Sequence, residues 1–178
     1  MRSFTTAVLL AALVAGGPAL AQSDTSLSDQ DRSFTTTAMA DGMLEVRLGT
    51  LAKNQGGSEA VKTFGQRMVS DHEAINRQLE AIARKHAMAP PAELPATQKT
   101  EADKLTALRG EEFDTAYMPM MVEDHQKDIE AFRKQARQGS NPELKAFAEQ
   151  NVATLEQHLR QAREIHASQS VAATPKKR

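Results

Sequence analysis

The sequence predicts an all-α protein, a four-helix bundle with one long connection between its second and third long helices. Two observations lead to this prediction. Aromatic residues make up only 4% of the 178-residue chain and Trp is absent, while Ala, Leu, Glu, Gln, Lys and Arg, all good helix formers, are abundant. Apolar side chains also recur at steps of three and four, whereas the alternation of β-branched residues that is typical of strands is missing.

The first long helix is expected to begin near Asp29 or Asp31, either of which can cap it, and to end before Gly56. Ser58 is expected to cap the second helix, which continues to about Ala87. The Pro90-Pro91 pair that follows cannot continue a helix. Both helices carry apolar side chains along one face, so they are expected to pack against the rest of a bundle.

The connection that follows is proline-rich from 89 to 97 and then predicts a short helix over 98–108. It is long enough to travel the length of a bundle, which indicates a crossover. The third long helix is expected over 111–138, with Pro119 inside it. Asn141 is expected to cap the fourth, with Pro142 at its first position.

The two ends of the chain are expected to lie outside the folded domain. Residues 1–21 have the pattern of a cleaved export signal: Arg2, a short apolar stretch, and the small-x-small site Ala19-Leu20-Ala21. We expect residues 22–28 to be a flexible lead-in, 29–167 the bundle domain, and 168–178 a disordered tail. Exported in this way, the protein is expected in the periplasm, where the lack of Cys leaves a packed core as its only source of stability.

Composition excludes several classes of function. The net charge of −1 argues against a nucleic-acid partner, which would need a strongly basic face. The apolar stretch of the signal is far shorter than the ~20 residues of a membrane span. Catalytic triads, phosphate-binding Gly loops and paired catalytic carboxylates are not recognisable, so nothing in the sequence requires an enzyme. It identifies no protein partner.

One short motif occurs twice. Met68 to His72 reads MVSDH and Met121 to His125 reads MVEDH, and each has an aromatic residue four positions ahead of the Met. At helical pitch the aromatic, the Met and the His lie on one face of their helix. Two different helices are therefore predicted to direct the same side chains into the bundle.

Four polar residues lie in phase with the apolar stripes, one on each long helix: Glu45, His72, His125 and His158. A buried polar group without a partner costs about 1–3 kcal/mol, so four of them in one bundle need shared partners. A metal ion and a metal-free hydrogen-bond network both remain open. Imidazole ligands with Met68 and Met121 nearby, as possible additional ligands, favour copper or zinc as the cofactor. Asp71 and Asp124 point away from these stripes and are expected to pair mainly with Lys or Arg.

These residues resemble a bacterial exported family, domain of unknown function 4142, which is grouped with ferritin-like proteins. The resemblance rests on Phe34…Ala38…Gly42…Glu45, Phe64…Met68-Val69-x-Asp71-His72, Phe113-Asp114-x-x-Tyr117…Met121-Val122-x-Asp124-His125 and Leu155-x-x-His158-Leu159. It implies a ferritin-like four-helix bundle in the periplasm or outer envelope and no established activity. Of the carboxylates in a di-iron centre, only Glu45 has a recognisable counterpart, which argues against ferroxidase chemistry.

Three functions are therefore considered. The first is a periplasmic metal-binding module that buffers or senses copper or zinc through Glu45, His72, His125 and His158. The second is an envelope structural or stress-related interaction protein whose buried His and Glu bond one another. The third is a redox enzyme that uses the same metal.

Overall fold

The computed structural model describes residues 26–172, and describes side chains as far as residue 169. Its helices are α1 (Asp29–Gln55), α2 (Glu59–Lys85), α3 (Ala96–Thr106), α4 (Gly110–Gln138) and α5 (Pro142–Ala172). The all-α prediction is confirmed, with α3 as the short helix. The predicted signal peptide (1–21) lies outside the described residues, and so do 22–25 of the lead-in and 173–178 of the tail. Within the described part of the chain, no helix is long and apolar enough to cross a membrane.

The helix ends follow from local hydrogen bonding. Ser28, rather than Asp29 or Asp31, caps α1, since its side chain accepts a hydrogen bond from the Asp31 N–H. Ser58 caps α2 and Asn141 caps α5 as predicted. At the C-terminal end α5 continues to Ala172, beyond the expected domain boundary at residue 167.

Three contacts between loops and helix ends define the topology. Asp114, at the start of α4, accepts hydrogen bonds from Gly57 N and Ser58 N in the α1–α2 loop. At the opposite end, Asn141 in the α4–α5 loop donates to His86, the residue that ends α2. The segment from α2 to α4 must therefore run the full length of the bundle, which confirms the crossover. The α1–α2 and α4–α5 hairpins pack side by side, with α3 lying over α1 and α4.

The two hairpins are related by an internal repeat. Asp31, in the first turn of α1, accepts hydrogen bonds from Ser140 N and Asn141 N, as Asp114 does from the other loop. Each of these Asp residues thus holds the loop of the opposite hairpin. One and the same interval along the chain separates Asp31 from Asp114, Phe34 from Tyr117, Gly56 from Gly139 and Ser58 from Asn141. The repeat that joins the hairpins is thus present in the sequence, alongside the more obvious Met–His repeat.

The core consists of two apolar clusters. One lies toward the α1–α2 loop and includes Leu48, Phe64 and Tyr117. The other lies toward the α4–α5 loop and includes Phe34, Leu79, Phe132 and Phe147, and also Leu27 from the segment expected to be a flexible lead-in. The four in-phase polar residues occupy the layer between these clusters. They are therefore shielded from water along the bundle axis as well as from its sides.

Close packing between α1 and α2 brings two of these polar residues together. A Cβ atom on Gly65 would lie 2.7 Å from the Ala52 Cβ and 2.7 Å from the Gly49 carbonyl oxygen, and real side chains do not approach so closely. Glycine therefore lets the two backbones approach beside the polar layer. Glu45 lies one turn from Gly49, and this spacing allows its carboxylate to reach His72 across the interface.

Candidate metal centre

The structure brings together all four polar residues that the helical periodicity singled out. Glu45, His72, His125 and His158 are each at most 3% exposed. One ring nitrogen from each histidine can be chosen so that all three lie within 4.8 Å of one another. Glu45 joins this imidazole cluster through His72, whose Nδ1 lies 2.7 Å from Glu45 Oε2. The four helices thus converge on one site in the dry middle of the bundle.

Each imidazole has one nitrogen next to an oxygen that orients the ring. His125 Nδ1 lies 2.9 Å from the backbone carbonyl of Met121, and His158 Nε2 lies 2.8 Å from Asp71 Oδ2. In His72 the corresponding contact is from Nδ1 to Glu45. Metal-binding histidines almost always donate their second ring N–H to a carboxylate or a backbone carbonyl in this way.

Burial keeps these rings neutral. It lowers the pKa of His72 and of His158 to about 4 and lowers that of His125 well below its ordinary value. Burial would raise the pKa of Asp71, but the hydrogen bonds from His158 and Arg67 outweigh it and lower that pKa, so Asp71 is ionised. Near neutral pH the cluster therefore presents uncharged imidazoles, the form that binds metal ions.

The ring orientations of His125 and His158 make two nitrogen lone pairs face each other. The Met121 carbonyl can only accept, so His125 carries its proton on Nδ1 and leaves Nε2 with a lone pair. Asp71 is ionised, so His158 carries its proton on Nε2 and leaves Nδ1 with a lone pair. These two unprotonated nitrogens lie 3.3 Å apart. With no proton between them they repel, and a cation that both could bind would remove the repulsion.

Two further polar atoms of the cluster lack a partner. His72 Nε2 and Glu45 Oε1 are buried, and neither has a hydrogen-bond partner among the described residues. Glu45 Oε1 lies 3.4 Å from His125 Nε2. The cluster thus offers the lone pairs of His125 Nε2 and His158 Nδ1 beside the unpartnered His72 Nε2 and Glu45 Oε1, and three imidazoles with one carboxyl are a donor set that can hold a transition metal.

The equivalent aspartates of the Met–His repeat have different surroundings. Asp71 pairs with Arg67 at 3.2 Å, as the sequence predicted, and in addition accepts a hydrogen bond from His158. Asp124 lies 4.0 Å from Lys127, and its buried Oδ2 has no hydrogen-bond partner in the described part of the chain. Of the two aspartates, Asp71 therefore has a described hydrogen bond to a ring of the imidazole cluster and Asp124 does not.

Both methionines of the repeat are fully buried in the apolar cluster on the α1–α2 side of the polar layer. Met121 contributes its backbone carbonyl to the site through the contact with His125. Ligation by the thioether of Met68 or Met121 stays a prediction.

Asp128 is a residue of the site that the sequence analysis missed. It is 9% exposed and its carboxyl shares a hydrogen bond with that of Glu45, on the facing helix. Burial and the neighbouring Glu45 raise the pKa of Asp128 well above its ordinary value. The interval that separates Asp31 from Asp114 also separates Glu45 from Asp128, so the hairpin repeat in the sequence already pointed to Asp128. Glu45 therefore has a carboxylate counterpart, contrary to the expectation that it stands alone.

Comparison with known proteins agrees with this architecture. The model of the family described as domain of unknown function (DUF4142) matches residues 16–165. No curated protein matches the chain.

Three solved structures have the same fold. A DUF305 fragment from Deinococcus radiodurans is similar with a TM-score of 0.70 and 15% identity, over 80% of this chain and 99% of the other. A DUF305 protein from Streptomyces coelicolor is similar with a TM-score of 0.68 and 15% identity, over 79% of this chain and 92% of the other. A protein from Bacillus halodurans C-125 is similar with a TM-score of 0.63 and 16% identity, over 87% of this chain and 97% of the other. At these identities the likeness shows the fold alone.

Proposed function

Since the chain belongs to the family of domain of unknown function 4142, whose description assigns no activity, we propose a function from the site itself. We propose that the protein binds one transition metal ion in the middle of the bundle. His72, His125 and His158 are the nitrogen ligands, and Glu45 completes the set. Copper and zinc are the favoured ions, and the role is to buffer or sense that metal.

One observation supports the proposal above the others: the unprotonated nitrogens His125 Nε2 and His158 Nδ1 face each other at 3.3 Å. A proton shared between them would relieve the repulsion, but burial lowers the pKa of both rings and works against taking one up. A metal ion needs the neutral form of both rings and uses both lone pairs. The site is thus better suited to a metal ion than to a proton.

The donor set favours copper or zinc. Imidazole nitrogens bind zinc, copper, iron and nickel, and three histidines with one further ligand form a common zinc arrangement. The buried thioethers of Met68 and Met121 lie one helical turn from His72 and His125, and thioethers favour Cu(I). We therefore keep both metals.

The proposed place of action is the periplasm. The support is the signal-like pattern of residues 1–21, which lie outside the described part of the structure. The structural neighbour from Streptomyces coelicolor is named as a candidate secreted protein. A bundle with a metal site and no cysteine suits an oxidising compartment, where free thiols would be lost to disulfides.

Metal analysis of variants tests this function. The mature protein is stripped with a chelator and titrated with Zn2+ and, separately, with copper, and bound metal is counted by elemental analysis. We expect one ion per chain, and loss of binding in the double variant His72→Ala/His125→Ala. Saturation at about 100 times Kd should stabilise the fold by about 2.7 kcal/mol, a rise in Tm of about 5–10 °C for a protein of this size.

The chain offers a matched control in its two other histidines. His86 and His166 lie outside the imidazole cluster, so the double variant His86→Ala/His166→Ala removes the same side chains and should still bind one ion. A wild-type protein that binds no stoichiometric metal, or a cluster variant that binds as well as the control, contradicts the proposal.

A second candidate function is that of an envelope structural or stress-related interaction protein. The hydrogen bonds of His125 to Met121, of His158 to Asp71 and of His72 to Glu45 support it, because they need no metal. Here the polar layer fixes the register of the four helices. This candidate predicts a melting temperature that neither a chelator nor added Zn2+ changes.

A further inference from the structure

The ligands of the proposed metal centre are buried, so an ion must cross the wall of the bundle to reach them. Glu45, His72, His125 and His158 are each at most 3% exposed. Apolar clusters close the bundle on both sides of the polar layer along its axis. Inside each hairpin the two helices pack more extensively than the hairpins pack against each other. The ion must therefore pass along one of the two seams between the hairpins, α1–α4 or α2–α5.

The α2–α5 seam is closed by hydrogen bonds at the level of the histidines. Arg67 of α2 donates to Gln157 (2.8 Å) and to Gln161 (3.2 Å) of α5. Arg67 also pairs with Asp71, which contacts His158. Passage along this seam would break several hydrogen bonds to charged groups, which are stronger than bonds between neutral groups.

The crossover helix covers one half of the α1–α4 seam. Ala102 and Leu105 of α3 pack into the apolar cluster toward the α1–α2 loop. Two hydrogen bonds hold α3 in place, from Gln98 to Asp41 and from Arg47 to Asp103. The half of this seam toward the α4–α5 loop has no such cover.

That uncovered half contains a cavity of about 270 Å3 that opens to solvent. It lies between α1 and α4, and the exposed residues Thr37 and Ala131 are among those that line it. We call it the outer cavity. A hydrated metal ion can enter such a space from solution without displacing any helix.

A second, smaller space adjoins the outer cavity. Its volume is about 10 Å3, which is room for about one water molecule, and two of the proposed ligands, Glu45 and His72, line it. We call it the inner hollow. Four residues line both spaces: Ala38, Asp41, Asp128 and Phe132. The two spaces thus lead from solvent to the proposed metal centre.

On the basis of the metal-binding function proposed above, we propose that the ion enters and leaves through the outer cavity and the inner hollow. The narrow point between Ala38 and Phe132 then sets the rate of metal exchange. The inner hollow is too small for a hydrated ion, so the ion loses most of its water there. Asp41 and Asp128 line both spaces, and carboxylate oxygens can take the place of that water, since they also bind zinc.

The packing around Phe132 makes this narrow point stiff. Phe132 is 6% exposed, and the centre of its ring lies 5.1 Å from that of Phe34 and 5.7 Å from that of Phe147. Its ring can move aside only if this aromatic cluster moves too. We therefore expect both uptake and release of the ion to be slow.

A side chain that narrows the path without touching a ligand tests the proposal. It raises the barrier for uptake and for release equally and leaves Kd unchanged. Uptake of Zn2+ by the chelator-treated protein is followed by stopped flow with a fluorescent zinc indicator, and release by mixing with excess chelator. Ala38→Leu should slow both by about tenfold or more, a barrier higher by about 1.4 kcal/mol. Ala153→Leu, an exposed position of α5 outside both spaces, should exchange like the wild type.

A second variant blocks the outer cavity without changing the core. The chain has no Cys, so the exposed Ala131→Cys variant can be labelled in the folded state with benzylmaleimide at that one position. The label should slow uptake and release together. The control is the Ala153→Cys variant with the same label, which should keep the wild-type rates.

The outcomes separate the path from the metal-binding function. The path is overturned if Zn2+ still binds but either Ala38→Leu or labelled Ala131→Cys exchanges it at the wild-type rate. It is also overturned if uptake slows and release does not, because that result is a loss of affinity. A wild-type protein that binds no Zn2+ refutes the metal-binding function and the path with it.

Discussion

The contact between Asp71 and His158 provides the sharpest prediction about the proposed metal centre. Asp71 Oδ2 lies 2.8 Å from His158 Nε2 and fixes the ring so that Nδ1 faces His125. Asp71→Asn keeps the shape and an acceptor oxygen but removes the negative charge. We expect it to weaken binding of Zn2+ or copper, because a carboxylate makes the ring a better ligand and an amide does so less.

The size of the effect follows from the exposure of Asp71. Substituting a residue that supports a metal-binding His typically weakens affinity by about 10–100-fold, or about 1.4–2.7 kcal/mol. The Asp71 side chain is 31% exposed and also bound by Arg67, so solvent screens part of its charge. The expected loss is therefore in the lower half of that range, about 10–30-fold, measured by competition with a chromophoric chelator.

The Met–His repeat supplies the control. Asp124 occupies the same position in the second copy of the motif as Asp71 in the first, but none of its described hydrogen bonds or ion pairs involves a histidine of the cluster. Asp124→Asn should change the affinity for Zn2+ by less than about threefold, well under 1 kcal/mol. If the two variants weaken Zn2+ binding equally, or if Asp71→Asn has no effect, the orientation of His158 by Asp71 does not matter for binding and the reasoning is wrong.

Three further predictions concern the free energy of unfolding of the metal-free protein, measured by urea denaturation. Asp124→Asn should stabilise the fold by about 1–3 kcal/mol above pH 7 and have little effect near pH 4. The pKa of Asp124 is about 6 in the folded protein and 3.8 is its ordinary value, which applies to the unfolded chain. The free energy of unfolding of the wild type therefore falls as pH rises through that range. An effect of Asp124→Asn that does not depend on pH would contradict this. Asp31→Ala should lower the free energy of unfolding by about 3–5 kcal/mol, because it leaves Gln135 Nε2, Ser140 N and Asn141 N without an acceptor. Replacing the exposed Asp29 by Ala is the control. Equal losses in the two variants would refute the role of Asp31 in holding the loop. Gly65→Ala should cost about 1–3 kcal/mol through overpacking, and a neutral result would show that α1 and α2 have room to separate.

Much of the fold could be predicted because its signals are local. The spacing of apolar residues, the capping residues Ser58 and Asn141, and the proline-rich segment after α2 each act within one or two helical turns. The length of that segment then predicted the crossover. The cap of α1 was predicted less well, because Ser28, Asp29 and Asp31 are all good capping residues and the local sequence does not choose among them.

The imidazole cluster was predictable in membership and unpredictable in geometry. Helical phase identified Glu45, His72, His125 and His158 because a polar residue in an apolar stripe is visible in the sequence. Whether they meet depends on the relative height and rotation of four helices. Those are set by contacts between distant residues, such as the close approach at Gly65 and the loops held by Asp31 and Asp114.

By itself, then, the sequence determined which side chains enter the core, because burial follows a period that each helix carries along its own length. Only the tertiary structure decided which oxygen each ring faces. Asp71 and Asp124 stand in nearly identical motifs, yet only Asp71 reaches His158, since α5 lies beside α2. It also placed Asp128 against Glu45, beside the histidines. Such pairings depend on distances between helices, which no single helix encodes.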